Sequence, residues 1–150
     1  MQRPPPLGPI EQATAVPYRL QDGRVQFCLV TNSQGKRWGF PKGVIEPGQT
    51  PIDTALAEAE EEAGIHGLID TEPLGDYEYC KWNRTLHVVG FLMRVTLAHD
   101  NWLEAKQRAR RWCSAEQARK KIDRPALLEL LGAALERLSA DPARSENSRP

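Results

Sequence analysis

The chain has no excess of charge of either sign: in 150 residues, 20 lysines and arginines balance 20 aspartates and glutamates. That balance removes the bulk field by which a protein attracts nucleic acid or a membrane, so anions must be held by local clusters. Cysteine is scarce: Cys28, Cys80 and Cys113 are widely spaced and form no CxxC pair. Their spacing argues against a disulfide framework or a thiolate zinc site and for a reducing cytoplasm. No stretch approaches the roughly 18 apolar residues of a membrane span. The opening "MQRPPPLGP" lacks the apolar region of a secretion signal, and no internal repeat is present. These absences leave the expectation of one cytoplasmic domain that buries a proper core.

What is present alternates between strand and helix patterns. Residues 1–10 are proline-rich and residues 139–150 are polar, so both are expected to be flexible tails around a domain spanning 11–138. "TAVPYRL" and "VQFCLVT" read as paired strands across "QDG", and "LIDTEPLGDYEY" as a further alternating stretch. "LHVVGFLMRVTL" is long and nearly continuously apolar, as a central strand would be, and "RRWCS" reads as a short final strand. Ser114 and Gln117 form a capping-box pattern. Pro125 opens the amphipathic "PALLELLGAALERL", whose leucine stripe reads as core first and dimer surface second. The chain is expected as a monomer or homodimer of α/β (α+β) class, with a mixed β-sheet between α-helices.

The acidic segment "PIDTALAEAEEEAG" poses the sharpest question. Thr50 suits an N-cap, Pro51 the first helical position, and Gly64 the C-terminal stop. Ile52, Ala55, Leu56, Ala59 and Ala63 supply an apolar side. Glu58, Glu61 and Glu62 stand at i, i+3 and i+4, where each like-charged pair costs about 0.2–0.5 kcal/mol. They also sit at the helix end whose dipole disfavours them, and the helix contains no lysine or arginine. Oxygen ligands at this spacing suit a hard divalent cation, Mg²⁺ or Mn²⁺. The turns in "FPKG" and "EPGQTP" fold the chain back and aim a backbone carbonyl near Lys42–Gly43 at the same place.

At this point the pattern resembles the Nudix hydrolase signature. Gly43 opens it; Glu58, Ala59, Glu61, Glu62, Gly64 and Ile65 close it, with the spacing intact. "GKRWGFPKG", and more weakly "NWLEAKQRARRW", resemble the diphosphoinositol polyphosphate and dinucleoside polyphosphate hydrolase branches. Two positions depart: Gln49 stands where the signature has Glu, and Ala57 where it has Arg. Ala109 stands where related chains carry an acid before "RRW", with Glu104 as a substitute. The resemblance implies a Nudix fold and Mg²⁺-dependent hydrolysis of a phosphoanhydride in a phosphorylated small molecule. Glu58 and Glu62 would bind metal with the Lys42 carbonyl; Glu61, also near the metal, would serve as base.

Lys36, Arg37, Lys42, Lys81 and Arg84 flank these segments and are the expected phosphate-binding residues. Trp38 and Trp82 are candidates to stack on a base. His87, within an apolar strand, reads as a satisfied core histidine. The rival function is a weakened Nudix domain that binds a nucleotide or partner without turnover, motivated by Gln49 and Ala57. Cleavage of capped or triphosphate RNA ends is a third reading; it requires a basic surface that "RARRW" only hints at, and the neutral balance argues against nucleic acid.

Overall fold

The structure, a computed structural model, describes residues 8–141, so of the expected tails at 1–10 and 139–150, residues 1–7 and 142–150 lie outside it. Strand β1 (Ile10–Gln21) turns through Asp22 and Gly23, both at positive φ, into β2 (Arg24–Thr31). Two left-handed residues match the right-handed twist of the flanking strands, which makes "DG" a tight hairpin. β3 (Trp38–Gly39) and β4 (Lys42–Val44) come from the turn-rich stretch, followed by α1 (Pro51–Ala63) and β5 (Ile65–Ile69). β6 (Gly75–Lys81), β7 (Arg84–Ala98) and β8 (Arg110–Cys113) precede α2 (Ala115–Lys121) and α3 (Pro125–Ala140). The stretch expected as one strand after α1 is two, β5 and β6, separated by residues 70–74. Ser139 and Ala140, expected in the tail, continue α3, and Ile10 already belongs to β1.

One mixed sheet joins all eight strands, with the path β3-β2-β1-β7-β5. β1 and β7 run parallel from Ile10↔Leu86 to Tyr18↔Arg94, and the other pairings are antiparallel. β1 has two partners on its other side. Its first half pairs with β4 through Gln12–Thr14, and its end pairs with β2 through Tyr18–Gln21. Pro17 falls between these registers, where neither antiparallel ladder requires its missing N–H.

Alternation in β1 and β7 feeds two cores. Ala13, Ala15, Phe91 and Met93 pack against Ala55, Ala59 and Ala63 of α1. Val16, Tyr18 and Leu92 pack against Leu127, Leu130, Leu131, Ala134 and Leu138 of α3. The small alanines let α1 approach the sheet closely, while the leucine stripe fills the wider side. The sheet lies between helices as expected, and the leucine stripe is core. No described helix is long and apolar enough to cross a membrane.

His87 departs from its expected place in the core. It lies on the end of the sheet beyond α1, partly exposed, with Nδ1 2.6 Å from Glu11 Oε2 and Nε2 2.6 Å from Asp76 Oδ2. Only the imidazolium can donate from both nitrogens. The bond to Asp76 and then that to Glu11 hold its pKa above the ordinary histidine value. This cluster ties β1, β7 and β6 together from one face. At the tip of the β6–β7 hairpin, Trp82 and Asn83 both have positive φ, 56° and 58°. Asn tolerates that region; an indole side chain adopts it at a cost.

Two outcomes follow. Because the His87 pKa is raised on folding, its stabilisation is present below the unfolded value and lost as pH rises through the folded one. His87→Gln should therefore cost about 1 kcal/mol at pH 5.5 and much less at pH 8.5, measured by urea denaturation. Trp82→Gly should raise stability by about 1 kcal/mol, since glycine adopts the left-handed turn without the Cβ penalty. An unchanged or lower midpoint would show that the indole compensates for its backbone.

Candidate active site

Helix α1 begins as its sequence dictates. Thr50 Oγ1 accepts from Asp53 N at 3.0 Å, and Asp53 Oδ2 accepts from Thr50 N at 3.2 Å. Gly64 closes it at φ 66°, with its N–H directed to the Ala59 and Glu60 carbonyls. The next three carbonyls, which a helix end leaves without partners, are all met by one segment. Glu104 N donates to Glu61 O at 3.1 Å, Trp102 Nε1 to Glu62 O at 2.8 Å, and Arg110 Nη1 to Ala63 O at 2.7 Å. The Arg110 guanidinium also stacks 4.3 Å from the Trp102 ring centre. A side chain at Gly64 would strike Trp102, so the glycine serves both the turn and the close approach.

This anchored segment delivers the cation that α1 lacks. Arg108 Nε donates to Glu104 Oε1 at 2.6 Å, and its Nη2 lies 3.6 Å from Glu62 Oε2. Glu62 is buried, only 6 % exposed, and its Oε1 accepts from Lys42 N at 3.3 Å. Burial drives the Glu62 carboxyl far above the usual range against the pull of Arg108, and a hydrogen bond to Glu58 adds to the rise. Burial also raises Glu58, opposed by that same bond, with Glu61 and Glu104 adding repulsion. Both carboxyls are thus pushed towards their neutral forms, Glu62 chiefly by its burial. Gly43 lies directly against the Glu58 carboxylate, where any Cβ would collide with it. One buried and one half-buried carboxyl beside the Gly43 backbone offer hard oxygen donors, and their chemistry fits a Mg²⁺ or Mn²⁺ ion.

The three signature acids do not share one space. Glu62 lines a cavity of about 160 Å³ together with Arg37, Lys42, Lys81, Arg108 and Arg124. Glu61 lines another, of about 380 Å³, with Ala57, His99 and Trp102. Among the described residues no three His, Cys, Asp or Glu side chains are gathered into a metal-ligand set as they stand. The first cavity opens into a groove of about 480 Å³ walled by Tyr77, Tyr79, Lys42, Lys81, Arg37 and Arg124. Within it Lys42 Nζ donates to Tyr79 Oη at 2.9 Å, and Tyr79 Oη to Gln12 Oε1 at 2.8 Å. Burial, then the nearby Arg124 and Lys81, push the Lys42 ammonium down to about 8, with Glu62 opposing.

Of the cations expected at the substrate, Arg37, Lys42 and Lys81 border this groove. Arg37 is also paired with Asp123 at 3.0 Å. Arg84 is elsewhere: its Nη2 donates to the Gly8 carbonyl, and it lines neither space. Lys36 is an exposed turn residue, its backbone N–H received by Asn32 Oδ1, and it too lines neither. Sequence reading missed Arg124, whose Nη2 donates to Trp38 O at 3.1 Å while its Nε is buried without a partner. Beside Pro125 it looked like punctuation before a helix. The usable signal was Gly39, where a Cβ would stand 2.5 Å from the Arg124 guanidinium. Arg108 was read only within a basic run. Gln49 has a local use, its Oε1 accepting from Glu46 N and Thr54 Oγ1.

Comparison with known proteins converges on this arrangement. The chain is 33% identical over 114 residues to Nudix hydrolase 4 of Arabidopsis thaliana, a match covering 69% of this chain and 55% of that protein. It is 30% identical over 105 residues to the asymmetrical bis(5'-nucleosyl)-tetraphosphatase of Sus scrofa, covering 67% and 71%. The crystal structure of C. elegans Ap4A hydrolase superposes with a TM-score of 0.73 at 25% identity, covering 87% of this chain and 98% of that one. The chain therefore spans little more than half the length of the plant relative. Residues 11–131 match the family model described as NUDIX domain, a span that holds the signature helix and every cation of the groove, and the chain belongs to that family.

Proposed function

We propose that this chain is a divalent-metal-dependent pyrophosphohydrolase that cleaves a phosphoanhydride bond in a polyphosphorylated small molecule, with a dinucleoside polyphosphate as the favoured class. The observation that carries the reading is the Glu58–Glu62 pair, with Glu62 buried in a cavity lined by cations and Glu58 held against Gly43. Glu58 and Glu62 would hold Mg²⁺ or Mn²⁺, with the Lys42 carbonyl beside them, and the ion would neutralise pyrophosphate charge and acidify a water. Arg37, Lys42, Lys81 and Arg124 would bind the phosphate chain, their charges replacing its hydration. Glu61 and Glu104 flank the pair, and either carboxylate can take the proton of the attacking water; Glu61 is the assignment that the signature implies.

The choice between nucleotide and inositol substrates rests on the aromatic side of the groove. Tyr77 and Tyr79 line it, and Trp82 stands 65 % exposed just beyond Lys81. Flat rings next to cations suit a nucleobase on a polyphosphate better than a small polar ring. The pig and nematode relatives, named for dinucleoside tetraphosphates, support the same class. Three free cysteines, two of them buried, agree with a reducing compartment such as the cytoplasm. A binder without turnover is the second reading, favoured by Ala57, which leaves α1 without its own arginine.

Phosphate release should be followed from diadenosine tetraphosphate and from a diphosphoinositol polyphosphate, with Mg²⁺ or Mn²⁺ present. Wild type should turn over the dinucleotide faster, and Glu62→Gln should lose at least about 100-fold in kcat. Arg124→Ala should act mainly on KM. Glu61→Gln and Glu104→Gln separate the two candidate bases, because the true one removes the acidic limb of the pH–rate profile. Tight nucleotide binding without phosphate release from either compound would favour the binder.

A further inference from the structure

The carboxylates of the site meet one guanidinium at close range, and it comes from outside the helix. Arg108 is only 16 % exposed, and each edge of its planar head is engaged: Nε with Glu104 Oε1 at 2.6 Å, Nη1 with the Thr31 carbonyl at 3.0 Å, and Nη2 towards Glu62 Oε2 at 3.6 Å. Its own position is fixed from both sides. Arg108 N donates to Glu104 O at 3.0 Å. The adjoining Ala109 exchanges bonds with Thr31, N to Oγ1 at 3.0 Å and O from N at 3.1 Å. The head therefore does not search for its partners; the end of β2 presents it.

We propose that Arg108 is a positioning residue that locks the orientation of the Glu62 and Glu104 carboxylates, in place of any cation on α1 itself. With Lys42 N on Oε1 and Arg108 facing Oε2, both oxygens of Glu62 have assigned directions. Glu104 is drawn from an exposed loop towards the same pair. A guanidinium fork can do this because it holds three groups in one plane, which a lysine ammonium cannot. The inference rests on the metal-hydrolase reading given above.

Two simpler roles make opposite predictions. If Arg108 were only a counter-charge, removing it would strengthen dication binding, since a positive charge would leave the neighbourhood of the metal. If it were a substrate phosphate contact, its loss would raise KM and leave metal affinity nearly unchanged. A positioning role instead weakens metal binding despite the removed repulsion, because the ligands lose their preset directions.

The test is calorimetric titration of Mn²⁺ into wild type, Arg108→Met, Arg108→Lys, Glu104→Gln and the Arg108→Met/Glu104→Gln double variant, with kcat and KM measured alongside. Arg108→Met should bind Mn²⁺ about tenfold more weakly, and lysine should restore little of that loss. Part of the loss should be absent when the same change is made on the Glu104→Gln background. kcat should fall with KM within about twofold of wild type. Tighter or unchanged Mn²⁺ binding in Arg108→Met, full recovery by lysine, or a change in KM alone would overturn the inference. If Arg108→Met does not fold, Arg108→Lys decides, and wild-type affinity there rejects the role. A wild-type protein that neither binds Mn²⁺ nor releases phosphate would sink the hydrolase reading itself; normal wild-type behaviour with indifferent variants sinks only this inference.

Discussion

The C-terminal end of α1 is the constraint on which the site depends. Four acids crowd a helix end that already carries negative carbonyls, an arrangement that is unfavourable for an isolated helix. Here the segment from Trp102 to Arg110, which runs into β8, answers the backbone and the side chains together. Its indole, one backbone N–H and one guanidinium satisfy three successive carbonyls, and a second guanidinium faces the carboxylates. Because the same short stretch provides all four donors, the helix end and its carboxylates cannot be stabilised separately. Loss of the cap would release the cation as well.

That coupling also explains how the chain tolerates its departures from the signature. Ala57 removes an arginine from the helix and Gln49 removes its acidic partner, so no charge is stranded. Gln49 is reused as a local acceptor in the loop before the helix. The positive charge that the acids still need arrives from fifty residues downstream, through Arg108. Ala57 and Glu61 line one cavity while Glu62 lines the other, so the acids expected on one patch do not all face the same space.

Local chemistry was legible in the sequence, and long-range pairing was not. Thr50, Pro51, Asp53 and Gly64 fixed both ends of α1 because caps act within a few residues of themselves. Ser114–Gln117 and Asp22–Gly23 were readable for the same reason. The nearly continuous apolar run of β7 announced a central strand covered on both faces. By contrast, Arg108 and Arg124 gain their roles from partners on β2, β3 and α1, and nothing in a basic run or a residue before proline reports that. His87 misled because an apolar strand was assumed to be covered along its whole length; at His87 it is partly exposed, and Glu11 and Asp76 are its neighbours. Arg84 meets the Gly8 carbonyl, a contact across 76 residues that no local pattern reports.

The divided partnership of β1 has a mechanical meaning. β1 is bonded to β4 up to Thr14 and to β2 from Tyr18, so at Pro17 the sheet forks. The smaller cavity, bordered by Val30 and Thr31 on one branch and Lys42 on the other, sits in the crotch of that fork. No β1–β2 ladder bond crosses there; instead the short Phe40–Pro41 link between β3 and β4 ties the two branches, its Pro41 carbonyl accepting from Ala15 N at 3.1 Å. The sheet thereby carries a notch between its two branches, and there the buried Glu62 meets Lys42 and Arg108.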